Sequence, residues 1–235
     1  KETKDFFDMM VNEELMDLEN RTGKSGGGFC TSFPSLERPY IFANFNGTDH
    51  DVTVLTHEAG HAFQAYQSRK QPVNRYLWPT YEACEIHSMS MEFLTWDWMH
   101  LFFKEDTDKF LFKHIAGSLA FLPYGALVDH FQHWVYKNPE ATPKERKKQW
   151  LELEKIYEPG KNYDDLEFLK NGGFWQKQAH IYEIPFYYID YTLAQVCAFQ
   201  FWIRMQEDKE SAWNDYMKLC KAGGSMSFLD LVKLA

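Results

Sequence analysis

The sequence predicts a mainly α-helical fold with one small β-sheet. Most of the 235 residues follow a helical period, in which apolar side chains recur three or four positions apart. One segment, residues 40–45 (YIFANF), is rich in aromatic and β-branched residues and lies between Pro39 and the Asn46-Gly47 turn, which is typical of a strand. Because 45% of the residues are hydrophobic, the chain can fill a substantial core without disulfides.

The elements are predicted in this order along the chain. The first is a helix over residues 2–19. Residues 22–35 contain a Gly-Gly-Gly run and are predicted to form a flexible loop, because the run lacks the GxxxxGK[ST] form of a phosphate-binding loop. The strand at 40–45 follows. Helices are then predicted over residues 52–68, 80–103, 106–133, 143–157, 163–169, 185–207, 209–221 and 227–235.

Composition and charge exclude several classes of function. A net charge of −9 and a pI near 5.5 would repel a phosphate backbone, so nucleic acid is not an expected partner. No leader and no uninterrupted apolar run of bilayer length are visible, so no membrane is expected either. The four cysteines are scattered and form no CxxC pair. We therefore expect a soluble cytoplasmic protein with free thiols.

Residues 57–61 read His-Glu-Ala-Gly-His, an HExxH sequence within the predicted helix at 52–68. Residues four apart share one helical face, so His57 and His61 can bind the same metal ion. Glu58 is offset around the helix, where it can act on a water molecule without being a ligand. Gly60 weakens the helix but lets another backbone or a substrate approach closely. This pattern predicts a catalytic zinc site with Glu58 as the base.

The predicted helix at 80–103 offers a third ligand. Four polar residues three or four positions apart share one face of this otherwise apolar helix. They are Glu82, Glu85, Ser88 and Glu92. A catalytic zinc ion needs a third protein ligand, and a carboxylate that faces a core needs a compensating cation, although the spacing alone also fits a solvated face. His87 lies off this face and is predicted to be a packing or surface histidine.

These motifs and several longer stretches resemble the catalytic region of the M3 metallopeptidases, most of all the oligoendopeptidase F group. The stretches are YIFANFNGT at 40–48, Asp51-Val52 before HEAGH, Glu85 with Glu92, His180-Ile181-Tyr182, and PFYYIDY at 185–191. The resemblance covers roughly residues 22–204. It implies a zincin-like helical metallopeptidase domain, with the small sheet beside the active-site helix and one Zn²⁺ ion bound by His57, His61 and Glu85.

The resemblance also implies roles for residues outside the metal motif. His180 and Tyr191 would stabilise the tetrahedral intermediate, assisted by Tyr188, Tyr187 or Tyr182. Tyr188 and Tyr187 lie three and four positions before Tyr191, so they can share its face of a helix that begins near Pro185. The strand would present its edge to an extended peptide. The substrate-binding residues would be Phe42, Ala43, Asn44, Tyr182 and Tyr187. The side chains that hold the metal ligands in place would be Glu82, Ser88 and Glu92.

Two departures from the family pattern stand out. Ala59 is small where a bulkier residue is expected, and family members are considerably longer than 235 residues. The ends of this sequence also read as helix. We therefore expect residues 1–235 to form a single catalytic domain, the C-terminal part of a longer M3-type peptidase, whose missing N-terminal part packs against it.

The predicted function is zinc-dependent endopeptidase hydrolysis of short oligopeptides by a metal-activated water molecule. One alternative is a dipeptide-releasing metallocarboxypeptidase, which would need a cationic pocket for the terminal carboxylate of the substrate. Another is a catalytically weak fragment that binds zinc and peptides. The intact Glu58 argues against this last alternative, because a structural zinc site has no use for a base.

Overall fold

A computed structural model describes residues 2–235. Within these residues the strands are β1 (Met16–Glu19), β2 (Phe29–Phe33) and β3 (Arg38–Phe45). The helices are α1 (Glu2–Asn12), α2 (Asp49–Ser68), α3 (Tyr81–Leu94), α4 (His100–Phe103), α5 (Thr107–Lys137), α6 (Pro143–Tyr157), α7 (Glu167–Lys170), α8 (His180–Glu183), α9 (Tyr188–Glu207), α10 (Lys209–Ala222) and α11 (Phe228–Leu234). The chain divides into two compact units, residues 1–112 with 194–235, and residues 113–193. The prediction of a mainly α fold with a small sheet is confirmed.

The three strands form one sheet in the order β1-β3-β2. β1 pairs with β3 in parallel, with Met16 opposite Ile41. β2 pairs with β3 antiparallel, with Phe29 opposite Phe42. Alternate residues of β3 are buried, including Ile41 and Ala43, as expected for a strand with one face on a core. The strand predicted at 40–45 is confirmed, and it is the central strand of the sheet.

Two predictions near the start of the chain are wrong. The helix expected over 2–19 ends at Asn12, because Glu14 has a φ of +54° that an α-helix cannot accommodate, and the following residues form β1. The loop expected over 22–35 contains β2. Both strands are short, and each is stabilised by pairing with β3 rather than by a strong pattern of its own.

The predicted helix at 52–68 is confirmed as α2, which begins three residues earlier at Asp49. The carboxylate of Asp51 accepts hydrogen bonds from the backbone N–H groups of Gly47 (2.7 Å) and Thr48 (3.2 Å), which fixes the entry to the helix. The prediction for 143–157 coincides with α6. The helices predicted at 106–133, 209–221 and 227–235 correspond to α5, α10 and α11.

Three helix predictions need correction. The helix expected over 80–103 ends at Leu94. A 3₁₀ turn and the short helix α4 follow it. Of the helix expected over 163–169, only the single turn α7 forms. The helix expected to begin near Pro185 begins at Tyr188, because Phe186 has a φ of +66° and forms a turn before it.

Each unit has its own hydrophobic core. In the first unit, Phe63 of α2, Ile86 of α3 and Tyr216 of α10 are fully buried together. In the second unit, Phe131 of α5 packs edge-on against Trp150 of α6, with ring centroids 5.2 Å apart. The first core supports the HExxH helix, and the second supports the segment that carries His180.

One helical stretch, His100–Lys137, is long and apolar enough to cross a membrane, with an 18-residue window of mean hydropathy 1.3. We expected no membrane because no uninterrupted apolar run in the sequence has the length of a bilayer. This stretch was not counted because charged residues such as Lys113 interrupt it. Only 17% of the window is buried, and the side chains of Phe112 and Leu119 are 73% and 54% exposed. A single stretch of this kind is weak support for a membrane span, but it leaves a large apolar surface on α5.

Candidate metal centre and the His180 cluster

The HExxH residues and Glu85 converge at one point between α2 and α3. Nε2 of His57 lies 3.1 Å from Oε2 of Glu85, and Nε2 of His61 lies 3.2 Å from the same oxygen. The side chains of His61 and Glu85 are almost fully buried, and that of His57 is 20% exposed. The structure thus brings together the three residues predicted to be metal ligands, with one ligand atom of each within 4.8 Å of the others.

Gly60 explains how α3 comes so close to α2. A Cβ atom at this position would lie 2.6 Å from the backbone oxygen of His87 and 2.6 Å from Cα of Ser88. Real Cβ atoms do not approach other atoms this closely, so a larger residue would push α3 away. The close backbone approach predicted for Gly60 is therefore made by α3, and it delivers Glu85 to the two histidines.

Three side chains of α3 contact the candidate ligands. Oε1 of Glu92 lies 2.7 Å from Nδ1 of His57, and the hydroxyl of Ser88 donates to Oε2 of Glu85 at 2.9 Å. Sγ of Cys84 lies 3.8 Å from Nδ1 of His61. Such contacts fix the orientation of metal ligands. The positions of Glu92 and Ser88 agree with the predicted supporting role.

Sequence analysis missed Cys84 and included Glu82 without structural support. Cys84 directly precedes Glu85, so it lies off the polar face, and its sulfur reaches back to the other histidine of the motif. Glu82 is exposed in the first turn of α3. His87 is buried against the ring of Tyr216, as its packing role predicted, and burial lowers its pKa to about 4.

The charges of His57, His61 and Glu85 depend strongly on one another. Burial favours the neutral imidazole of His57, but hydrogen bonds and charges from Glu85 and Glu92 outweigh it and raise its pKa to about 10. Burial likewise opposes the charge of His61, yet Glu85 raises the pKa of this ring well above its usual value. In return, the two rings outweigh burial and hold the pKa of Glu85 well below its usual value. The site therefore favours positive charge beside the buried carboxylate.

The donor set fits a zinc ion. Two imidazole nitrogens and a carboxylate oxygen are typical catalytic zinc ligands, and tetrahedral coordination at about 2.0–2.2 Å separates ligand atoms by about 3.3 Å. The observed separations from Glu85 Oε2, 3.1 and 3.2 Å, are close to this value. Zinc binds neutral imidazole, so a bound ion would take the place of a proton on each ligand nitrogen that carries one.

Glu58 lies beside this donor set and has an unsatisfied oxygen. Its side chain is buried, and Oε2 has no hydrogen-bond partner among residues 2–235. Burial raises the pKa of this carboxyl, although His57 and His61 partly oppose the shift. A buried oxygen without a partner is costly unless a water molecule or ligand satisfies it. This position suits a base that acts on a water molecule.

The glycine-rich loop approaches the same carboxylate. A Cβ atom at Gly28 would lie 3.2 Å from Cγ1 of Val54, 3.6 Å from the backbone oxygen of Phe42 and 3.7 Å from Oε1 of Glu58. The sequence identified this stretch only as a flexible loop. Its last glycine instead leads directly into β2 and lies against the side chain of Glu58.

The prediction that β3 presents a free edge is wrong. β1 and β2 pair on either side of β3, so the outer strand next to the glycine loop is β2. The residues assigned to substrate binding also make internal contacts. Phe42 stacks on Phe29 at a centroid distance of 4.9 Å, and the side chain of Asn44 donates to the backbone oxygen of Gly27 at 2.8 Å. Ala43 is fully buried, and its oxygen accepts a hydrogen bond from the buried Lys24.

In the second unit, four rings form what we term the His180 cluster, namely His180, Tyr187, Tyr188 and Tyr191. Their centroids lie 5.1 Å (Tyr188), 5.7 Å (Tyr191) and 6.4 Å (Tyr187) from that of His180. The hydroxyl of Tyr191 lies 3.4 Å from Nε2 of His180. The structure thus groups three of the predicted tyrosines around the predicted histidine. Tyr182 instead stacks on Trp175 and is 56% exposed.

Two residues that contact this cluster escaped sequence analysis. The hydroxyl of Tyr124 donates to Oε1 of Gln178 at 3.0 Å, and Nε2 of Gln178 lies 2.8 Å from Nδ1 of His180. Gln178 lies two residues before His180, between a 3₁₀ turn and α8, where no periodic pattern marks it. Tyr124 is distant in sequence, on α5, so only the fold connects it to His180.

Comparison with known proteins agrees with this geometry. The model of peptidase family M3 matches residues 3–235. The chain is 27% identical over 237 residues to an oligoendopeptidase F homolog of Borreliella burgdorferi, and the alignment covers 96% of this chain and 38% of that protein. The solved structure of PZ peptidase A with inhibitor 2 superposes with a TM-score of 0.97 at 58% identity, over 99% of this chain and 42% of that one.

A second relative, an oligoendopeptidase F homolog of Mycoplasma genitalium, is 23% identical over 95% of this chain and 39% of its own length. The chain thus spans about two fifths of the length of the relatives it matches. The match to the family model, in contrast, covers nearly every residue. The resemblance first drawn from HEAGH and the downstream tyrosines is confirmed, and the chain belongs to peptidase family M3.

Proposed function

We propose that this chain carries the catalytic centre of a zinc-dependent endopeptidase that hydrolyses short oligopeptides. One observation carries the proposal. Two imidazole nitrogens lie within 3.2 Å of one buried carboxylate oxygen, beside a second buried carboxylate whose Oε2 has no partner among residues 2–235. Membership of family M3 supports a peptidase, and the donor set supports zinc as its cofactor.

The roles of the residues follow from their chemistry. His57, His61 and Glu85 would hold the ion, and Glu92, Ser88 and Cys84 would orient these ligands. A bound zinc ion would supply Lewis acidity that polarises the scissile carbonyl and acidifies a water molecule. Glu58 would accept the proton of that water and later deliver a proton to the leaving amine.

An extended peptide would pair with β2 rather than with β3. β2 is one of the two outer strands of the sheet, and its first residue follows Gly28, which lies against Phe42 and Glu58. Backbone hydrogen bonds to an edge strand hold a peptide without requiring a particular sequence. The exposed rings of Phe29 and Phe33, 49% and 45% exposed, would contact its side chains.

Metal analysis and cleavage mapping together test the proposal. The protein should bind one zinc ion, and a chelator should abolish cleavage, which added zinc should restore. A peptide blocked at both ends should be cut internally, whereas a dipeptide-releasing carboxypeptidase would require a free C-terminal carboxylate. Glu85→Gln should lower zinc affinity far more than the matched change Glu82→Gln in the first turn of the same helix. Equal losses in the two variants would contradict the ligand assignment.

We also propose that the remaining part of a longer polypeptide covers the exposed apolar side chains of this chain. The relatives are more than twice as long, and apolar side chains on α1 and α5 are strongly exposed, including Phe7 (53%) and Phe112 (73%). Hydrogen–deuterium exchange of the segment around Phe112 tests the proposed packing. Slower exchange of this segment in a longer polypeptide than in residues 1–235 would support it.

All four cysteines are free, which supports a reducing, cytoplasmic location.

A further inference from the structure

A chain of polar contacts in the second unit ends on the His180 cluster. It runs from the phenol of Tyr124 through the amide of Gln178 to Nδ1 of His180, with separations of 3.0 and 2.8 Å. On its other side, Nε2 of the ring faces the hydroxyl of Tyr191 at 3.4 Å. All four residues belong to the compact unit 113–193, so this geometry is defined within one body.

Tyr124 sets the direction of the hydrogen bonds in this series of contacts. The hydroxyl of Tyr124 donates to Oε1 of Gln178 at 3.0 Å, and burial raises the pKa of this phenol, so it keeps the proton that it donates. The acceptor is the carbonyl oxygen of Gln178, which turns the NH₂ group of the amide toward His180. An amide nitrogen donates and does not accept, so Nδ1 of His180 must be the acceptor in this contact.

A neutral imidazole carries a single hydrogen, and the nitrogen that accepts a hydrogen bond cannot also hold it. We propose that Gln178 is a positioning residue that keeps neutral His180 in the tautomer with its hydrogen on Nε2, the nitrogen facing Tyr191. This inference rests on the proposed function and on the role that the family resemblance implies for His180, donation of a hydrogen bond to the oxyanion that develops during hydrolysis. In the opposite tautomer, Nε2 would present a lone pair and would repel that oxyanion.

The variant Gln178→Glu reverses the polarity of the contact. It keeps the length and shape of the side chain but replaces the amide donor with a carboxylate, which only accepts. Nδ1 of His180 should therefore carry a hydrogen in this variant and none in the wild type. ¹⁵N NMR of the histidine-labelled, zinc-loaded protein separates protonated from unprotonated ring nitrogens. The signals of His180 are assigned by their loss in His180→Gln.

A matched control is available two residues away. Gln176 is exposed on the 3₁₀ turn, so Gln176→Glu adds the same charge without a contact to the ring, and Nδ1 should stay unprotonated. A second variant, Tyr124→Phe, removes the hydroxyl that orients the amide. The carbonyl oxygen of Gln178 can then turn toward His180, so Nδ1 should become protonated in part of the molecules. Circular dichroism confirms that each variant is folded.

Kinetics link the tautomer to the reaction. Where the spectra show that Nε2 has lost its hydrogen, kcat for a blocked peptide should fall by roughly tenfold to a hundredfold, with KM within about twofold, as for a lost oxyanion donor. A hydrogen on Nδ1 in the wild type, or its absence from Nδ1 in Gln178→Glu, would overturn the inference. If a variant loses the hydrogen on Nε2 but keeps the wild-type kcat, the tautomer assignment is supported. His180 would then not be a donor to the oxyanion.

Discussion

The carboxylate of Glu92 lies 2.7 Å from Nδ1 of His57, whereas the equivalent nitrogen of His61 faces a sulfur atom, Sγ of Cys84, at 3.8 Å. A carboxylate accepts a hydrogen bond from a ligand imidazole much more strongly than a thiol does. Glu92→Gln should therefore weaken zinc binding by roughly tenfold to a hundredfold, and Cys84→Ala by clearly less. Competition with a chelator measures both constants.

Cys197→Ala is the control for this comparison, because Cys197 is a partly buried thiol of the same unit that lines a cavity with Phe201 and Leu219. It should leave zinc affinity unchanged. A larger loss from Cys84→Ala than from Glu92→Gln would show that the sulfur is a ligand rather than a support. Cobalt substitution would then reveal a thiolate charge-transfer band.

Glu58→Gln separates metal binding from catalysis. The variant keeps the shape of the side chain and leaves both imidazoles in place, so zinc content should remain near that of the wild type. Because a general base contributes roughly a hundredfold to ten-thousandfold, kcat should fall by at least this factor. Thermal stability should stay near that of the wild type, since the amide keeps the shape of the side chain and a buried polar group at the same place. Substantial activity at full zinc occupancy would exclude Glu58 as the base.

Tyr191→Phe tests the His180 cluster by removing one hydroxyl. If Tyr191 donates to the oxyanion, kcat should fall by roughly a hundredfold to a thousandfold while KM stays nearly constant. Tyr182→Phe is the matched control, because Tyr182 stacks on Trp175 with its side chain 56% exposed. Similar kcat values for the two variants would argue against the assignment of Tyr191.

Gly60→Ala should disturb the metal centre through the backbone. The added methyl group would lie 2.6 Å from the backbone of α3, so this helix must shift, at a cost of about 1–3 kcal/mol in unfolding free energy. Zinc affinity should fall as well, because Glu85 moves with α3. The control is Gly117→Ala in α5, where a Cβ meets nothing within 4 Å and the change should stabilise by up to about 1 kcal/mol. Chemical denaturation distinguishes the two outcomes.

Zinc binding should release protons at neutral pH. Since the carboxylates of Glu85 and Glu92 outweigh burial and raise the pKa of metal-free His57 to about 10, this ring is protonated at pH 7, and zinc must displace its proton. Apparent affinity should therefore rise with pH, by about tenfold per unit for each proton displaced. Calorimetry in buffers of different ionisation enthalpy counts the protons. A count of zero would contradict the coupled charges described for the metal-free site.

The metal centre was largely predictable from the sequence, because its signal is local. His57 and His61 share a helical face, and the polar face of the next long helix offered Glu82, Glu85 and Glu92 as a third ligand. The resemblance to the M3 peptidases then selected Glu85. Reasoning from periodic patterns failed for β1 and β2. These short strands depend on pairing with β3, and tertiary pairing of this kind leaves little trace in local periodicity.

The contacts that the sequence did not predict lie outside its periodic patterns. Gln178 reaches His180 from an irregular segment, and Tyr124 reaches Gln178 across 54 residues. Neither residue belongs to a motif, and their chemistry emerges only from the packing of the second unit. Gly60 was predicted only in part. The sequence predicted that another backbone or a substrate would approach it closely, and the fold shows that this neighbour is α3.

The first unit is built from two separate stretches of chain, and this affects the order in which the protein can mature. The buried hydroxyl of Tyr216 on α10 donates to the backbone oxygen of His87 on α3 at 2.9 Å, across 129 residues of sequence. A ribosome must therefore synthesise the whole of the second unit before α10 can reach α3. Until then the helix that carries Glu85 lacks this contact with α10, so the proposed zinc site can be completed only at a late stage of biosynthesis.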